Sequence, residues 1–361
     1  MTRTVGVEEE YLLVDPDTGH PRAVSQVALA ADPAPESTTG LTGELQREQV
    51  ESATRPCTTL TEVDRELRRA RSVAAQAALA AGSRLAALGT SPLAVEPTLS
   101  SSERYREMGR RFGLTVSEEL TCGCHVHVAV DSDEEGVGAL DRIRPWLASL
   151  LALTANSPFW QGVDSGYASY RTQVWQRWPS AGPYAPFGSP AVYHDTVRAM
   201  IDTETLLDRG MVYFDARLSV QHPTLEVRVG DVCLDVDDAV LLAALVRALV
   251  ETAARAWRTG APADPVRLEL LRLAAWRAAR SGVDDTLLDP CTWRPAPAAD
   301  VLGRLVTHVT PALEDAGDLD EVRERLTAVL RRGTGARAQR GAAGPQEAVA
   351  LAVRRTSADV G

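Results

Sequence analysis

A chain of 361 residues with 45% apolar and 24% charged side chains has the composition of a folded protein with ample material for a core. Its formal net charge of −11 argues against nucleic acid or an anionic membrane as the main partner. All 38 basic residues are arginine, which removes Schiff-base lysine chemistry and the lysine of the P-loop, so any phosphate must be met by arginine, backbone amides or metal ions.

In chain order, the first predicted element is a strand over residues 4–15, "TVGVEEEYLLVD", in which Glu8, Glu9 and Glu10 sit among residues that all read as buried. A second strand is expected over 44–53, then a helix over 60–81 opened by a capping box of Thr61 and Asp64. Strands follow at 84–89, 123–130, 211–220 and 224–232, with helices at 137–155, 236–258, 265–281, 300–314 and 319–332. Strands and helices do not alternate regularly, which favours an α+β arrangement over a doubly wound parallel sheet. Two long connections stand out, 17–43 and 156–192. The second is dense in aromatic residues and is the candidate lid over a site. No linker or repeat divides the chain, so 1–361 reads as one domain, with 334–361 expected as a flexible tail or a segment folding over the site. Five cysteines, no signal-like segment before Val5 and no apolar run near the roughly 20 residues of a membrane helix together predict a cytoplasmic protein with reduced thiols.

Side chains alternate across a strand, so residues of equal parity share a face. In the first strand Val5, Val7, Glu9, Tyr11 and Leu13 share one face, while Gly6, Glu8 and Glu10 share the other. In "CGCHVHVAV", Cys122, Cys124, Val126, Val128 and Val130 oppose Gly123, His125, His127 and Ala129. In "TLEVRVGDV", Leu225, Val227 and Val229 oppose Glu226 and Arg228. Three strands with one apolar face and one face of Glu, His or Arg predict a sheet covered by helices on one side and carrying a polar site on the other. Parity sets both cysteines of "CGCHVH" away from both histidines, which opposes a zinc site there. Glutamates with one imidazole suit Mg²⁺ or Mn²⁺ better. Glu9, on the packed side, is expected to pair with an arginine.

The ordered motifs "GVEEEYLLVD", "ELQREQVESAT", "CGCHVHVAV", "SYRTQVWQRWPSAGP", "TLEVRVGDV" and "GTGARAQR" resemble the carboxylate–amine ligase family, also called glutamate–cysteine ligase type 2, from about Gly6 to Arg340. The resemblance implies a glutamine synthetase/guanido kinase-like fold: a curved antiparallel sheet with helices on its convex face and a helix-rich final third. It implies ATP-dependent amide formation from a small-molecule carboxylate and an amine through an acyl phosphate, with ATP and Mg²⁺ or Mn²⁺, and a homodimer as the assembly. Transferred position by position, it makes Glu8, Glu10, Glu51, His125, Glu226 and Glu44 metal ligands. Glu44 sits seven residues from Glu51 and needs a bulge or turn to join it. It places Glu10 and Arg228 at the chemistry, and Arg228, Arg171, Arg217 and His127 at nucleotide or substrate. Two rival readings are a metal-dependent amide hydrolase using the same Glu/His face, and a non-catalytic ligand-binding relative.

Overall fold

The computed structural model describes residues 2–32 and 40–358. Its main sheet has seven strands: β1 (Val5–Val14), β2 (Thr42–Gly43), β3 (Gln49–Ala53), β4 (Arg84–Ala86), β5 (Gly123–Ala129), and, beyond a small hairpin of β6 (Phe159–Trp160) and β7 (Val163–Asp164), β8 (Ala216–Leu218) and β9 (Thr224–Asp231). The order is β2-β3-β1-β5-β9-β8, with β4 also on β1, and every pairing is antiparallel. A second hairpin, β10 (Thr286–Leu288) with β11 (Pro295–Pro297), stands apart.

Alternation does what the sequence pattern requires. Val5, Val7, Val126, Val128, Leu225 and Val227 are buried in one cluster with Leu60, Val63 and Leu67 of the Leu60–Ala80 helix and with the apolar length of the Val236–Arg258 helix. The register then sets the other face in rows: Glu10 is opposite Glu51, Glu8 opposite His125, and His127 and Arg217 flank Glu226. A bulge between Cys124 and Val126 shifts the β5–β9 ladder, and Arg228, two residues from Glu226, lines the same surface.

Glu9 meets the expectation of an arginine partner. Its carboxylate takes a two-bond pair from Arg71 of the Leu60–Ala80 helix (2.9 and 2.6 Å) and a bond from the Tyr11 hydroxyl (2.9 Å). Arg71 also donates to the carbonyls of Cys233 and Leu234. Strand, helix and the segment after β9 are thereby joined by one buried ion pair.

Several boundaries differ from expectation. The capping box of the Leu60–Ala80 helix is Thr59 with Glu62, because the helix starts at Leu60 and takes Thr61 into its first turn; Asp64 pairs with Arg68 one turn on. The strand expected over 44–53 is broken: β2 ends at Gly43, residues 44–48 turn, and β3 starts at Gln49. The 17–43 connection contains a helix at Ser25–Ala30, while its residues 33–39 lie outside those described. The 156–192 connection contains the β6–β7 hairpin and a helix at Tyr170–Trp175, and a helix at Glu103–Phe112 stands where the sequence pattern shows no element. The stretch expected as a tail holds helices Gly335–Arg340 and Pro345–Ala358. Val349 and Ala352 of the latter pack with Leu85 and Leu88 beside β4. Among the described residues no helix is long and apolar enough to cross a membrane.

Candidate active site

The polar face of the sheet forms the floor of a cleft of about 800 Å³, lined among others by Glu8, Glu10, Glu44, Glu51, His125, His127, Arg217, Glu226 and Arg228. All ten side chains singled out from sequence except Arg171 line it. Arg171 lies immediately beneath, in a small adjoining cavity that Arg228 and Trp175 also line. The turn at 44–48 resolves the parity conflict of Glu44, whose carboxylate lies with those of Glu10 and Glu51.

The charges are segregated. On one side stand Glu8, Glu10, Glu44 and Glu51. Burial first, then the Glu10 charge, pushes Glu44 up to about 7. Burial followed by Glu44, Glu8 and Glu10 pushes Glu51 well up, and burial raises Glu10 against the pull of Arg171, the Gly123 amide and Arg228. Carboxylates crowded this way resist ionising together unless a cation joins them. On the other side Glu226 takes a two-bond pair from Arg217 (2.7 and 3.2 Å) and a short contact from Arg228. Burial opposes its ionisation, but Arg228, Arg217 and His127 outweigh it and hold Glu226 well below the usual carboxylate range.

Between the two sides lie the histidines. Glu8 approaches His127 Nε2 at 3.2 Å and His125 Nδ1 at 3.6 Å. Burial, then the Arg228 charge, lowers His125 to about 4, so its imidazole is neutral at physiological pH. For His127 burial is outweighed by Glu8, and its affinity for a proton rises.

The residues fit a divalent cation. Ligand atoms of Glu8, Glu51 and His125 lie within 4.8 Å of one another, as do those of Glu10, Glu44 and Glu51, and those of Glu8, His127 and Glu226. His125 Nε2 is buried with no hydrogen-bond partner, as a lone-pair donor awaiting a ligand is. The third set fits least well, because both Glu226 oxygens are already engaged by guanidinium.

Two of the three tryptophans of the aromatic connection, Trp175 and Trp178, separate. Trp178 is buried against Phe112 (5.2 Å) and Tyr213 (5.4 Å), an anchor of the cleft wall. Trp175 backs the guanidinium groups of Arg171 (5.5 Å) and Arg228 (6.0 Å). Gly123 is glycine for a steric reason: a Cβ there would collide with the Arg171 guanidinium and meet His125 Nε2 at 2.8 Å. Thr54 does not enter the cleft; its hydroxyl accepts the Val7 N–H and extends the ladder. Arg337 and Arg340 turn away from the cleft to Asp284 and Asp164.

The pattern of glutamate-cysteine ligase family 2 (GCS2) matches residues 4–349. The chain belongs to this family. A Streptomyces coelicolor relative named "Putative glutamate--cysteine ligase 2" is 54% identical over 361 residues, 99% of each chain. A Streptomyces avermitilis relative is 54% identical over 339 residues, 94% of each. Among solved structures, a glutamate–cysteine ligase from Francisella tularensis in complex with AMP aligns over 100% of this chain and 89% of its own, with a TM-score of 0.72 and 13% identity. A bifunctional glutathione synthetase from Pasteurella multocida gives a TM-score of 0.70 at 15% identity over 99% of this chain. This chain spans about half, 53%, of its length. At these identities the likeness concerns the fold.

One side chain of this family 2 cleft was missed in the sequence. Glu119 is buried on the cleft wall, with one oxygen bonded by the Thr121 hydroxyl (2.5 Å) and the other without a partner. Nothing in "SEELTCG" distinguishes it from its exposed neighbour Glu118, which pairs with Arg177. Burial pushes Glu119 up to about 7, from an ordinary 4.5. An acid whose folded pKa is raised withdraws stability as pH climbs from its unfolded value to its folded one. Glu119→Gln is therefore expected to raise the melting temperature at pH 8, by the equivalent of up to about 3 kcal/mol, and to leave it unchanged at pH 4. Equal effects at both pH values in thermal melts would contradict this.

Proposed function

We propose that this chain is an ATP-dependent carboxylate–amine ligase of the glutamate–cysteine ligase type, forming ADP and an amide through an acyl phosphate. The observation that carries the reading is the division of one cleft into a carboxylate wall and a guanidinium wall across the same sheet face. ATP and a carboxylate substrate are both anionic, and bringing them together requires both kinds of wall.

Glu8, Glu10, Glu44, Glu51 and His125 would hold Mg²⁺ or Mn²⁺, which supplies charge neutralisation at the phosphates when bound. Arg228 and Arg171, stacked near Trp175, present permanent positive charge to the transferring phosphoryl group or the attacking carboxylate. Glu226 holds Arg217 and Arg228 in fixed directions, so less reorganisation accompanies the transfer. His127 Nε2 lies 3.2 Å from a Glu8 oxygen and its Nδ1 bonds the Thr224 hydroxyl at 3.0 Å, which fixes its ring beside the substrate space. The amine then attacks the acyl phosphate and releases phosphate, with the two reactants gaining from being held side by side. The wall formed by the Tyr170–Trp175 helix and Trp178 shields the acyl phosphate from water.

Incubation with ATP, Mg²⁺ or Mn²⁺ and panels of amino acids and amines tests this by following ADP, phosphate and amide product. L-glutamate with L-cysteine is the first pair. Turnover without ATP would favour an amide hydrolase, and AMP formation would exclude acyl-phosphate chemistry. Glu10→Gln is expected to abolish most of the ATP-dependent rate while the protein stays folded by circular dichroism. Full activity in that variant would remove Glu10 from the site.

A further inference from the structure

The "GTGARAQR" stretch touches no part of the cleft, yet it is bound to the loop that delivers Arg171. Gln339 is fully buried, and its amide donates to both the backbone carbonyl (2.8 Å) and the side-chain oxygen (2.7 Å) of Asn156. Asn156 Nδ2 donates in turn to the carbonyls of Ala87 (3.0 Å) and Val232 (2.8 Å), just beyond β4 and β9. Asp231, the last residue of β9, then gathers both ends of the loop. Its Oδ2 accepts from Asn156 N–H (2.8 Å) and Ser157 Oγ (2.6 Å), and its Oδ1 accepts from Ser169 Oγ (2.8 Å). Ser157 Oγ accepts the N–H of Arg171 itself at 3.0 Å. From the other side Ala336 N–H bonds the Ala155 carbonyl, and Arg340 holds Asp164 and the Tyr167 carbonyl. Gly335 leaves no space between the two segments, since a Cβ there would collide with the Asn156 amide.

The Arg171 guanidinium has few bonds of its own; its Nε is buried without a hydrogen-bond partner. Its pose over Gly123 is thus inherited from the backbone that presents it. A displacement near 1 Å at a positioning group costs roughly 100-fold in rate.

We propose that residues 334–340 are a positioning clamp for the site, in which Gln339, through Asn156 and the Asp231–Ser157 bridge, sets the placement of Arg171 at the cleft floor. The inference rests on the reading of Arg171 as an anion contact in a ligase. A core built only for stability would fill this space with apolar side chains, because a buried polar network is costly unless every member is bonded. The chain Gln339–Asn156–Asp231–Ser157–Arg171 leaves Gln339 Oε1 and Arg171 Nε without partners, a cost in stability, and ends at the site.

The test is Gln339→Met, which keeps volume and removes the donor. Hydrogen–deuterium exchange is expected to accelerate in peptides spanning 156–171 while peptides of β5 keep their protection. The ligase rate is expected to fall roughly 10- to 100-fold in kcat with little change in KM for ATP. In an Arg171→Met background, Gln339→Met should add no further loss. Unchanged exchange in 156–171, or losses that multiply in the double variant, would overturn the clamp. Should Gln339→Met fail to fold, Arg340→Ala at the exposed end of the same clamp gives the same exchange comparison. If the parent protein shows no nucleotide-dependent turnover, the ligase reading fails, while the exchange result still decides the clamp.

Discussion

Arg71→Met is expected to lower stability by about 3–5 kcal/mol, the cost of stranding a buried charge. Arg71 and Glu9 are both essentially inaccessible to solvent, and the pair is tied at both ends: Glu9 to the Tyr11 hydroxyl, Arg71 to two backbone carbonyls. Removing the cation leaves the Glu9 carboxylate in the core with only a hydroxyl, and leaves the Cys233 and Leu234 carbonyls without that donor. Urea titration measures the loss. The double variant Glu9→Leu with Arg71→Met should recover much of it, because apolar replacements of both partners leave no stranded charge. A double variant whose loss equals the sum of the two single losses would show that the pair is not the unit of stability.

Arg228→Met is expected to reduce the ADP-forming rate by roughly 10²–10³-fold, the scale for one preorganised electrostatic donor. The fold should tolerate it better than the loss of Arg71. Glu226 keeps its two-bond pair with Arg217 when Arg228 is gone, so no buried carboxylate is stranded. Steady-state kinetics combined with urea titration separates the two effects. A variant with nearly parental kcat would assign Arg228 to holding the sheet together rather than to the reaction.

How much of this was readable from the sequence depends on whether the information was local. The division of Glu8 and Glu10 from Glu9 follows from the two-residue period of a strand, and both the cleft and the Arg71 pair obey it. His125, His127, Glu226 and Arg228 were legible for the same reason, since β5 and β9 are regular enough for parity to hold on either side of the bulge. Glu44 was suggested only by resemblance, because a turn, not a strand, carries it to Glu51. Arg171 belongs to a six-residue helix too short to show a period. Glu119 gives no local sign at all: its burial comes from the wall built around it. The capping box slipped by two residues because threonines stand at 58, 59 and 61, and only Thr59 has a glutamate, Glu62, three residues on to close the box.

The guanidinium wall has one more consequence. Arginine stays protonated throughout the range in which proteins are stable, so a guanidinium wall neither switches off nor gives up a proton. A cleft furnished with lysine would be able to lend protons to a departing phosphate or take one from an incoming ammonium. In the proposed ligase that traffic would fall to the carboxylates, the two imidazoles and solvent. The cations would hold and orient, and the acids around them would carry whatever moves.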